Sequence, residues 1–304
     1  MIGGDGVTAT EQQGLDWRDR VLAFGVRAVV KPVFALPLSW RTHRRLADFG
    51  ARRHRVPAGV RVEWREIAGV RVRVSRPQDA APDALPLLWL HGGGFVMCSP
   101  RTHAPLLDAL ALAARRPVLA PAYRLAPEHP FPAGFDDALA VARAVGPHAL
   151  GGDSAGANLA LGTAALLVAG GRAPERLVLL SPPVDLDPAR TPPPGAREMV
   201  LPLAAVARIF RAYLPPGADP RDPRLSPIHA DWQGAPPTLI HAARGELMQG
   251  DAEAIAAKLA AAGAAVRLEL WDGVPHDWHM AAGHAPAADR AVRAIGRFLR
   301  GDPS

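Results

Sequence analysis

The residue with the clearest chemical potential is Ser154, which lies in the pentapeptide GDSAG at residues 152–156. An apolar run precedes this segment, and a serine between two glycines at such a place is typical of a sharp turn from a strand into a helix. Side chains at the glycine positions would collide with the neighbouring strand and helix. The sequence therefore predicts a turn that holds the Ser154 hydroxyl exposed and reactive.

A second motif, HGGGF, occupies residues 91–95 and follows a predicted buried strand at residues 87–90. Consecutive glycines after a strand expose backbone N–H groups, which are the donors that an oxyanion hole requires in acyl transfer. The N–H group of the residue after the nucleophile completes such a hole. We therefore predict an oxyanion hole formed by Gly92, Gly93 and Ala155.

With these two motifs and several further segments, the chain resembles the hormone-sensitive-lipase-like family of α/β-hydrolase esterases. The further segments are YRLAPEHPFPA at residues 123–133, SPPVDL at 181–186, SPI at 226–228 and a GxxH pattern at 273–276. The resemblance covers about residues 60–300. It implies an α/β-hydrolase fold, with a mostly parallel central sheet, helices on both faces and a helical cap.

The resemblance assigns the catalytic base to His276, the histidine of the GxxH pattern. His276 follows the last predicted strand, which suits a residue that must reach the nucleophile. A zinc site shared by His276 and His279 is the rival interpretation, but the sequence offers no cysteine or clear third ligand beside them. We expect no metal and no organic cofactor.

The third member of the triad departs from the usual family pattern, in which an aspartate opens a D-P-L-x-D-E segment after the seventh strand. Ungapped alignment of residues 244–253 places Glu246 at that position. A glutamate can hold the imidazole tautomer and stabilise its positive form. Asp251 is the competing acid, although it lies where a helix starts and an aspartate has an ordinary capping role. The order Ser154, Glu246, His276 is that of α/β-hydrolases.

Strand and helix signals alternate along the chain, as an α/β sheet requires. The predicted strands are residues 70–75, 87–90, 118–122, 149–151, 177–181, 238–242 and 266–271, and the predicted helices are 136–145, 158–169, 252–262 and 288–299. Residues 1–55, which are arginine-rich and expected to be helical, and residues 187–225 fall outside this alternation. In the family, pieces at these positions form the cap, so we expect a single domain over residues 1–304.

Composition limits the partners and the compartment. The chain has 304 residues, a net charge of +6 and a single cysteine, Cys98, which fits a reducing compartment better than a disulfide framework. Cys98 could be a reactive thiol or a buried small residue. An arginine cluster between residues 41 and 55 has neither a set of stacking aromatic residues nor a recognisable nucleic-acid-binding motif, so nucleic acid is not expected.

The N-terminal region gives no sign of export or of stable insertion into a membrane. Residues 1–6 lack a basic start and an apolar stretch, and charges and prolines interrupt the apolar segment 21–40. We expect a cytoplasmic protein whose partner is a small-molecule ester, and a homodimer is compatible with the sequence.

Three functions follow from these residues. The first is a serine carboxylesterase for short to medium acyl esters or lactones. The second is a tailoring amidase, deacetylase or acyltransferase that uses the same triad on a biosynthetic intermediate. The third is a non-catalytic receptor for small molecules, which is disfavoured because such receptors typically lose the base or the acid.

Overall fold

A nine-stranded sheet organises the described part of the chain. The computed structural model describes residues 7–12, 15–146, 148–191 and 195–302. The strands are β1 (Val7–Gln12), β2 (Val60–Ile67), β3 (Val70–Pro77), β4 (Leu87–Leu90), β5 (Val118–Pro121), β6 (Ala149–Asp153), β7 (Leu177–Leu180), β8 (Thr238–Ala243) and β9 (Val266–Trp271). Their order across the sheet is β1-β9-β8-β7-β6-β4-β5-β3-β2.

Eight of the described helices lie between strands along the chain, and the ninth follows the last strand. They are α1 (Trp17–Gly25), α2 (Lys31–Ala35), α3 (Trp40–Ala51), α4 (Ala104–Ala114), α5 (Ala133–Ala144), α6 (Ala155–Ala169), α7 (Leu203–Tyr213), α8 (Gln249–Ala261) and α9 (Pro286–Arg300). One π-helical turn, Val26–Val30, joins α1 to α2, and short 3-10 turns cover Pro227–His229 and Trp278–Ala281.

The sheet is mostly parallel, and among the described strands β3 alone runs against the others. It pairs antiparallel with both β2 and β5, whereas the remaining pairs are parallel. The carboxyl ends of the parallel strands therefore meet at one edge of the sheet. In open α/β sheets this edge is where sites are built.

Strand β7 shows why the central strands read as continuous apolar runs. Leu177 and Leu179 pack into the core on one face of the sheet, while Val178 and Leu180 pack into the core on the other. Residues from α5, α6 and α8 cover the first face, and residues from α4 and α9 cover the second. Since both faces are buried, alternate side chains are apolar on both sides.

All seven predicted strands and all four predicted helices are present, with ends that differ by a few residues. Three elements were not predicted. Strand β1 lies in the arm that was expected to be helical, and it pairs with β9 at the edge of the sheet. Strand β2 alternates Val60, Val62 and Trp64 with polar residues, a signal that could have revealed it. Helix α4 is apolar nearly all round, so periodicity alone does not distinguish it from a buried strand.

The N-terminal helices and the segment that carries α7 contact each other. Lys31 Nζ donates to the carbonyl of Glu198 at 2.6 Å, and the Arg208 guanidinium donates to the carbonyl of Leu36 at 2.8 Å. The same guanidinium lies 4.6 Å from the centre of the Trp40 ring. These contacts bring the two regions outside the α/β alternation together.

Within the described residues, no helix has the length and apolarity that a bilayer crossing needs.

Candidate active site

Ser154 lies in the turn between β6 and α6, with φ 49° and ψ −122°. This strained backbone is held by the close packing of its neighbours. A Cβ atom at Gly156 would collide with the carbonyl oxygens of Leu90 and His91, and one at Gly152 would collide with the carbonyl of Gly156. The glycines of the motif are therefore required by close approach of backbone to backbone.

Three side chains from the carboxyl edge of the sheet form a hydrogen-bonded chain. Ser154 follows β6, Glu246 follows β8 and His276 follows β9. His276 Nε2 is 2.9 Å from Ser154 Oγ, and His276 Nδ1 is 2.6 Å from Glu246 Oε2. Glu246 Oε1 in turn accepts the Ala243 N–H at 2.9 Å. With Nδ1–H donating to the carboxylate, Nε2 is left to accept the serine proton.

The competing acid, Asp251, lies in a different set of contacts. Its carboxylate accepts the Val184 N–H at 2.9 Å and pairs with Arg190, whose Nη2 is 2.6 Å from Oδ1. It lies in the first turn of α8. The structure thus brings Glu246 to His276, and it gives Asp251 a structural ion pair.

The glycine loop departs from the prediction at Gly92. Its N–H donates to Asp153 Oδ2 at 2.8 Å, so, contrary to the expectation for Gly92, this N–H group is engaged within the protein. Within the described residues, the N–H groups of Gly93, Gly94 and Ala155 have no protein acceptor. Gly93, Gly94 and Ala155 are therefore the residues of this loop and turn whose N–H groups are available to an oxyanion. The sequence could not reveal this, because any of three consecutive glycines can present an N–H group.

A buried ion pair between His103 and Asp153 holds the glycine loop in place through the N–H of Gly92. His103 Nε2 is 2.9 Å from Asp153 Oδ2, and Trp89 Nε1 donates to Oδ1 at 2.8 Å. Burial alone would raise the pKa of Asp153, but the charge of His103 and these hydrogen bonds hold it below its usual value. Burial would likewise lower the pKa of His103, and Asp153 raises it above the ordinary value. The pair thus favours the charged forms that hold Gly92 in place.

Tyr123, the first residue of the YRLAPEHPFPA segment, contacts the same loop. The Tyr123 hydroxyl donates to the carbonyl of His91 at 2.6 Å, and the two rings stack with centroids 4.3 Å apart. Burial lowers the pKa of His91 to about 3, so this imidazole is neutral at physiological pH. Beside the loop, burial raises the pKa of the Cys98 thiol to about 12, which argues against a reactive thiolate there.

A second carboxylate lies beside the imidazole. Asp277 Oδ2 is 3.2 Å from His276 Nε2, on the side of the ring that faces Ser154. Burial alone would lower the pKa of His276, but the charges of Asp277 and Glu246 raise it well above the ordinary value. Sequence reasoning missed Asp277, although an acid directly after the predicted base was a visible signal.

One group of described residues could offer three metal ligands. Ligand atoms of Glu198, Glu246 and His276 lie within 4.8 Å of one another. The protein already uses these atoms, because Glu198 Oε1 accepts the Val200 N–H at 2.7 Å and Glu246 holds His276. His279, the partner in the zinc hypothesis, instead lies 3.0 Å from His241 Nδ1. These contacts favour a hydrogen-bonded triad over a metal site at this position.

Two cavities meet at Ser154. One has a volume of about 150 Å³ and is lined by Ala155 and by apolar residues of α7, among them Val206 and Ile209. The other has a volume of about 270 Å³ and is lined by His276, by Asp277 and by residues of the N-terminal helices. The walls of both cavities are mainly apolar, although the first also includes the charged residues Asp185, Asp187, Arg190 and Asp251. The hydroxyl of Ser154 thus lies at the junction of the cavity beside α7 and the cavity that contains the imidazole.

Comparison with known proteins agrees with this geometry. A family model described as alpha/beta hydrolase fold matches residues 87–280. The chain belongs to this family. The predictions of an α/β-hydrolase fold and of likeness to the hormone-sensitive-lipase group are confirmed by these matches and by those that follow.

Named relatives and solved structures extend the comparison. An acetyl-hydrolase of Streptomyces hygroscopicus is 40% identical over 231 residues, which are 73% of this chain and 77% of that protein. The carboxylesterase/phospholipase LipF of Mycobacterium tuberculosis is 36% identical over 229 residues, 70% of this chain and 61% of LipF. The crystal structure of an esterase from the bacterial hormone-sensitive lipase family has a TM-score of 0.84 at 31% identity, covering 95% of this chain and 99% of the other.

Proposed function

We propose that this α/β-hydrolase is a serine carboxylesterase that forms an acyl-enzyme on Ser154. The similar proteins are named as an acetyl-hydrolase, a carboxylesterase and esterases. Because of this similarity, the chain is a carboxylic ester hydrolase. The observation that carries the mechanism is the buried chain from Ser154 through His276 to Glu246. Each of these side chains is less than a tenth exposed.

In acylation, Ser154 Oγ attacks the ester carbonyl while His276 Nε2 takes the hydroxyl proton. The new bond joins Oγ to the carbonyl carbon, and the carbonyl electron pair moves onto the oxygen. This oxyanion would accept hydrogen bonds from the N–H groups of Gly93, Gly94 and Ala155. Glu246 stabilises the imidazolium that forms.

Collapse of the intermediate breaks the bond to the alcohol oxygen, which takes the proton from His276 Nε2. Water then repeats the sequence on the acyl-enzyme, releases the acid and restores Ser154. Because the leaving oxygen must reach His276, the alcohol belongs in the cavity that contains His276 and Asp277. The acyl chain then belongs in the apolar cavity beside α7.

A series of p-nitrophenyl esters of graded acyl length tests this function. We expect turnover of short and medium chains and stoichiometric labelling of Ser154 by an organophosphate. Amide, acetylated and alternative acceptor substrates in the same assay distinguish the amidase, deacetylase and acyltransferase alternatives. Absence of both turnover and labelling would favour the receptor.

The assignment of the acyl cavity gives a prediction on chain length. Replacing Val206 by Trp fills the cavity from α7, so kcat/KM for p-nitrophenyl octanoate should fall roughly tenfold or more relative to the acetate, since apolar burial is lost and the chain is excluded. Leu22→Trp is the matched control, because Leu22 lines the other cavity. If Leu22→Trp changed the octanoate-to-acetate ratio and Val206→Trp did not, the two cavities would be assigned the wrong way round.

A second prediction concerns pH. Protonated His276 cannot accept the serine proton, so kcat/KM rises with pH through the His276 pKa, and its raised value places this limb above pH 6.5. Asp277→Asn removes one of the charges that raise the pKa, so the limb should move to lower pH. Asp302→Asn, which removes a carboxylate paired with Arg300, is the control and should leave the limb in place. A shift to higher pH in Asp277→Asn would contradict the assignment of His276 as the base.

The cap and the compartment also belong to the proposal. Of the predicted cap, residues 1–55 and 187–225, we infer that residues 15–55, 187–191 and 195–225 lie over Ser154, because the two regions contact each other through Lys31 and Arg208 and both line the cavities. Strand β1 instead pairs into the sheet, and residues 1–6, 13–14 and 192–194 lie outside the described part of the chain. A cytoplasmic location is supported by the single cysteine. A homodimer would be tested by light scattering of the purified protein.

A further inference from the structure

Asp277 has no role in the triad, although it lies at the reacting atoms. Its Oδ2 is 3.2 Å from His276 Nε2, and its Oδ1 is buried without a hydrogen-bond partner among the described residues. A buried carboxylate oxygen without a donor is costly unless a ligand supplies one. The position therefore calls for a hydrogen-bond donor that the protein itself does not provide.

The backbone at Asp277 keeps the carboxylate at this place. Its φ of 53° is in the left-handed region, which aspartate, asparagine and glycine tolerate better than other residues. Burial raises the pKa of Asp277 to about 6, against the lowering effect of His276 and with further raising effects of Asp153 and Glu246. The group is accordingly ionised at mildly alkaline pH, where the base is active.

Asp277 lines the cavity that holds the leaving alcohol in the proposed mechanism. The other walls of this cavity are largely apolar and include Val26, Val30 and Phe34 of the N-terminal helices. Asp277 is absent from the lining of the acyl cavity. The other carboxylate that lines the alcohol cavity, Asp153, is already engaged by His103 and Trp89. Asp277 is therefore the kind of placed polar group that fixes substrate orientation.

We propose that Asp277 selects esters whose alcohol carries a hydroxyl group on the carbon next to the ester-bearing carbon, that is, monoesters of vicinal diols. This inference rests on the proposed function and names its substrate class. His276 Nε2 donates its proton to the ester oxygen of the leaving alcohol, and the adjacent Asp277 carboxylate accepts a hydrogen bond from the neighbouring hydroxyl. The 3.2 Å between the two protein atoms is a spacing that oxygens on adjacent carbons can match.

The bound hydroxyl also affects the base. In the free enzyme, the Asp277 carboxylate and Ser154 Oγ both lie within 3.2 Å of His276 Nε2. When the substrate hydroxyl donates to Asp277, the carboxylate has a donor other than the imidazole, and Nε2 is left to Ser154. An alcohol without the hydroxyl leaves the carboxylate buried without that donor, which is the basis for strong discrimination between otherwise similar substrates.

Two butyrate esters of equal size test the proposal. In 2-hydroxyethyl butyrate and propyl butyrate, a hydroxyl in one ester takes the place of a methyl group in the other, and migration of the acyl group in the first regenerates the same compound. The measured quantity is the ratio of kcat/KM for the hydroxyethyl ester to that for the propyl ester. Changes in the intrinsic rate of a variant cancel in this ratio.

We expect the ratio to fall roughly tenfold or more from wild type to Asp277→Gly, since a hydrogen bond to a buried charge is lost. Asp277→Asn keeps an acceptor oxygen without the charge, so the ratio should fall by a smaller factor. Both substitutions suit the left-handed backbone. Asp302→Asn makes the matched change at a carboxylate that pairs with Arg300 and lines neither cavity, so it should leave the ratio as in wild type.

Two results are decisive against the inference. If wild type, Asp277→Asn and Asp277→Gly hydrolyse both esters with kcat/KM ratios within twofold of one another, Asp277 does not contribute to selection of the alcohol. The esterase function is unaffected by that result. If wild type hydrolyses neither these esters nor p-nitrophenyl esters, the proposed function itself fails and the inference fails with it. Should Asp277→Gly not fold, Asp277→Asn gives the same comparison with a smaller expected change.

Discussion

Ser154→Ala should remain folded and lose ester turnover by a factor on the order of 10⁴ to 10⁶, the loss found when the nucleophile of a serine triad is removed. The substitution removes one hydroxyl oxygen, and the packing of Gly152 and Gly156 fixes the backbone at this position. The measurement is kcat/KM for p-nitrophenyl butyrate, with circular dichroism to verify folding. The organophosphate should label wild type and not the variant.

Ser181 provides a matched control for this substitution. It is buried at the carboxyl end of the neighbouring strand β7 and has a positive φ of 45°, so it shares the environment of Ser154 without its contact to His276. Ser181→Ala should keep turnover within a few-fold of wild type. Wild-type rates in Ser154→Ala, or labelling that persists in it, would refute the assignment of the nucleophile.

Glu246→Gln should lower kcat by about 10⁴-fold, because an amide favours the wrong imidazole tautomer and cannot stabilise the imidazolium. The hydrogen bond to His276 Nδ1 is short, at 2.6 Å, and Glu246 is buried, so water has little access to replace the carboxylate. Glu246→Asp should keep partial activity, since the shorter side chain draws the carboxylate away from the ring. Pre-steady-state measurement of acylation checks both expectations.

Asp251→Asn is the control that separates the two candidate acids. Asp251 pairs with Arg190, which is about half exposed, so we expect a stability loss of about 1–2 kcal/mol and turnover within a few-fold of wild type. An inactive Asp251→Asn together with a nearly normal Glu246→Gln would move the catalytic acid to Asp251. Thermal denaturation monitored beside the kinetic assay keeps loss of folding distinct from loss of catalysis.

The sequence by itself determined the central sheet and the places where Ser154 and His276 lie. Buried parallel strands have short, continuous apolar sequences, and the sharp turns at their ends require glycine. Both features can therefore be recognised from the local sequence. The edge strand β1 gave no such signal, because its six residues, VTATEQ, carry little apolar patterning and pair with β9 only after the chain has folded. Local composition cannot specify a pairing between positions so far apart.

Only the tertiary structure decided which groups around Ser154 are engaged. The N–H of Gly92 is taken by Asp153, and three consecutive glycines look alike until the acceptor is in place. Likewise, the structure distinguishes the two candidate acids because Asp251 is paired with Arg190, which lies in a distant segment of the chain. The contact of Asp277 with His276 depends on a left-handed residue whose side chain turns back to Nε2. Sequence identifies which residues can do chemistry, whereas hydrogen bonds between distant segments determine which of their atoms are free to do it.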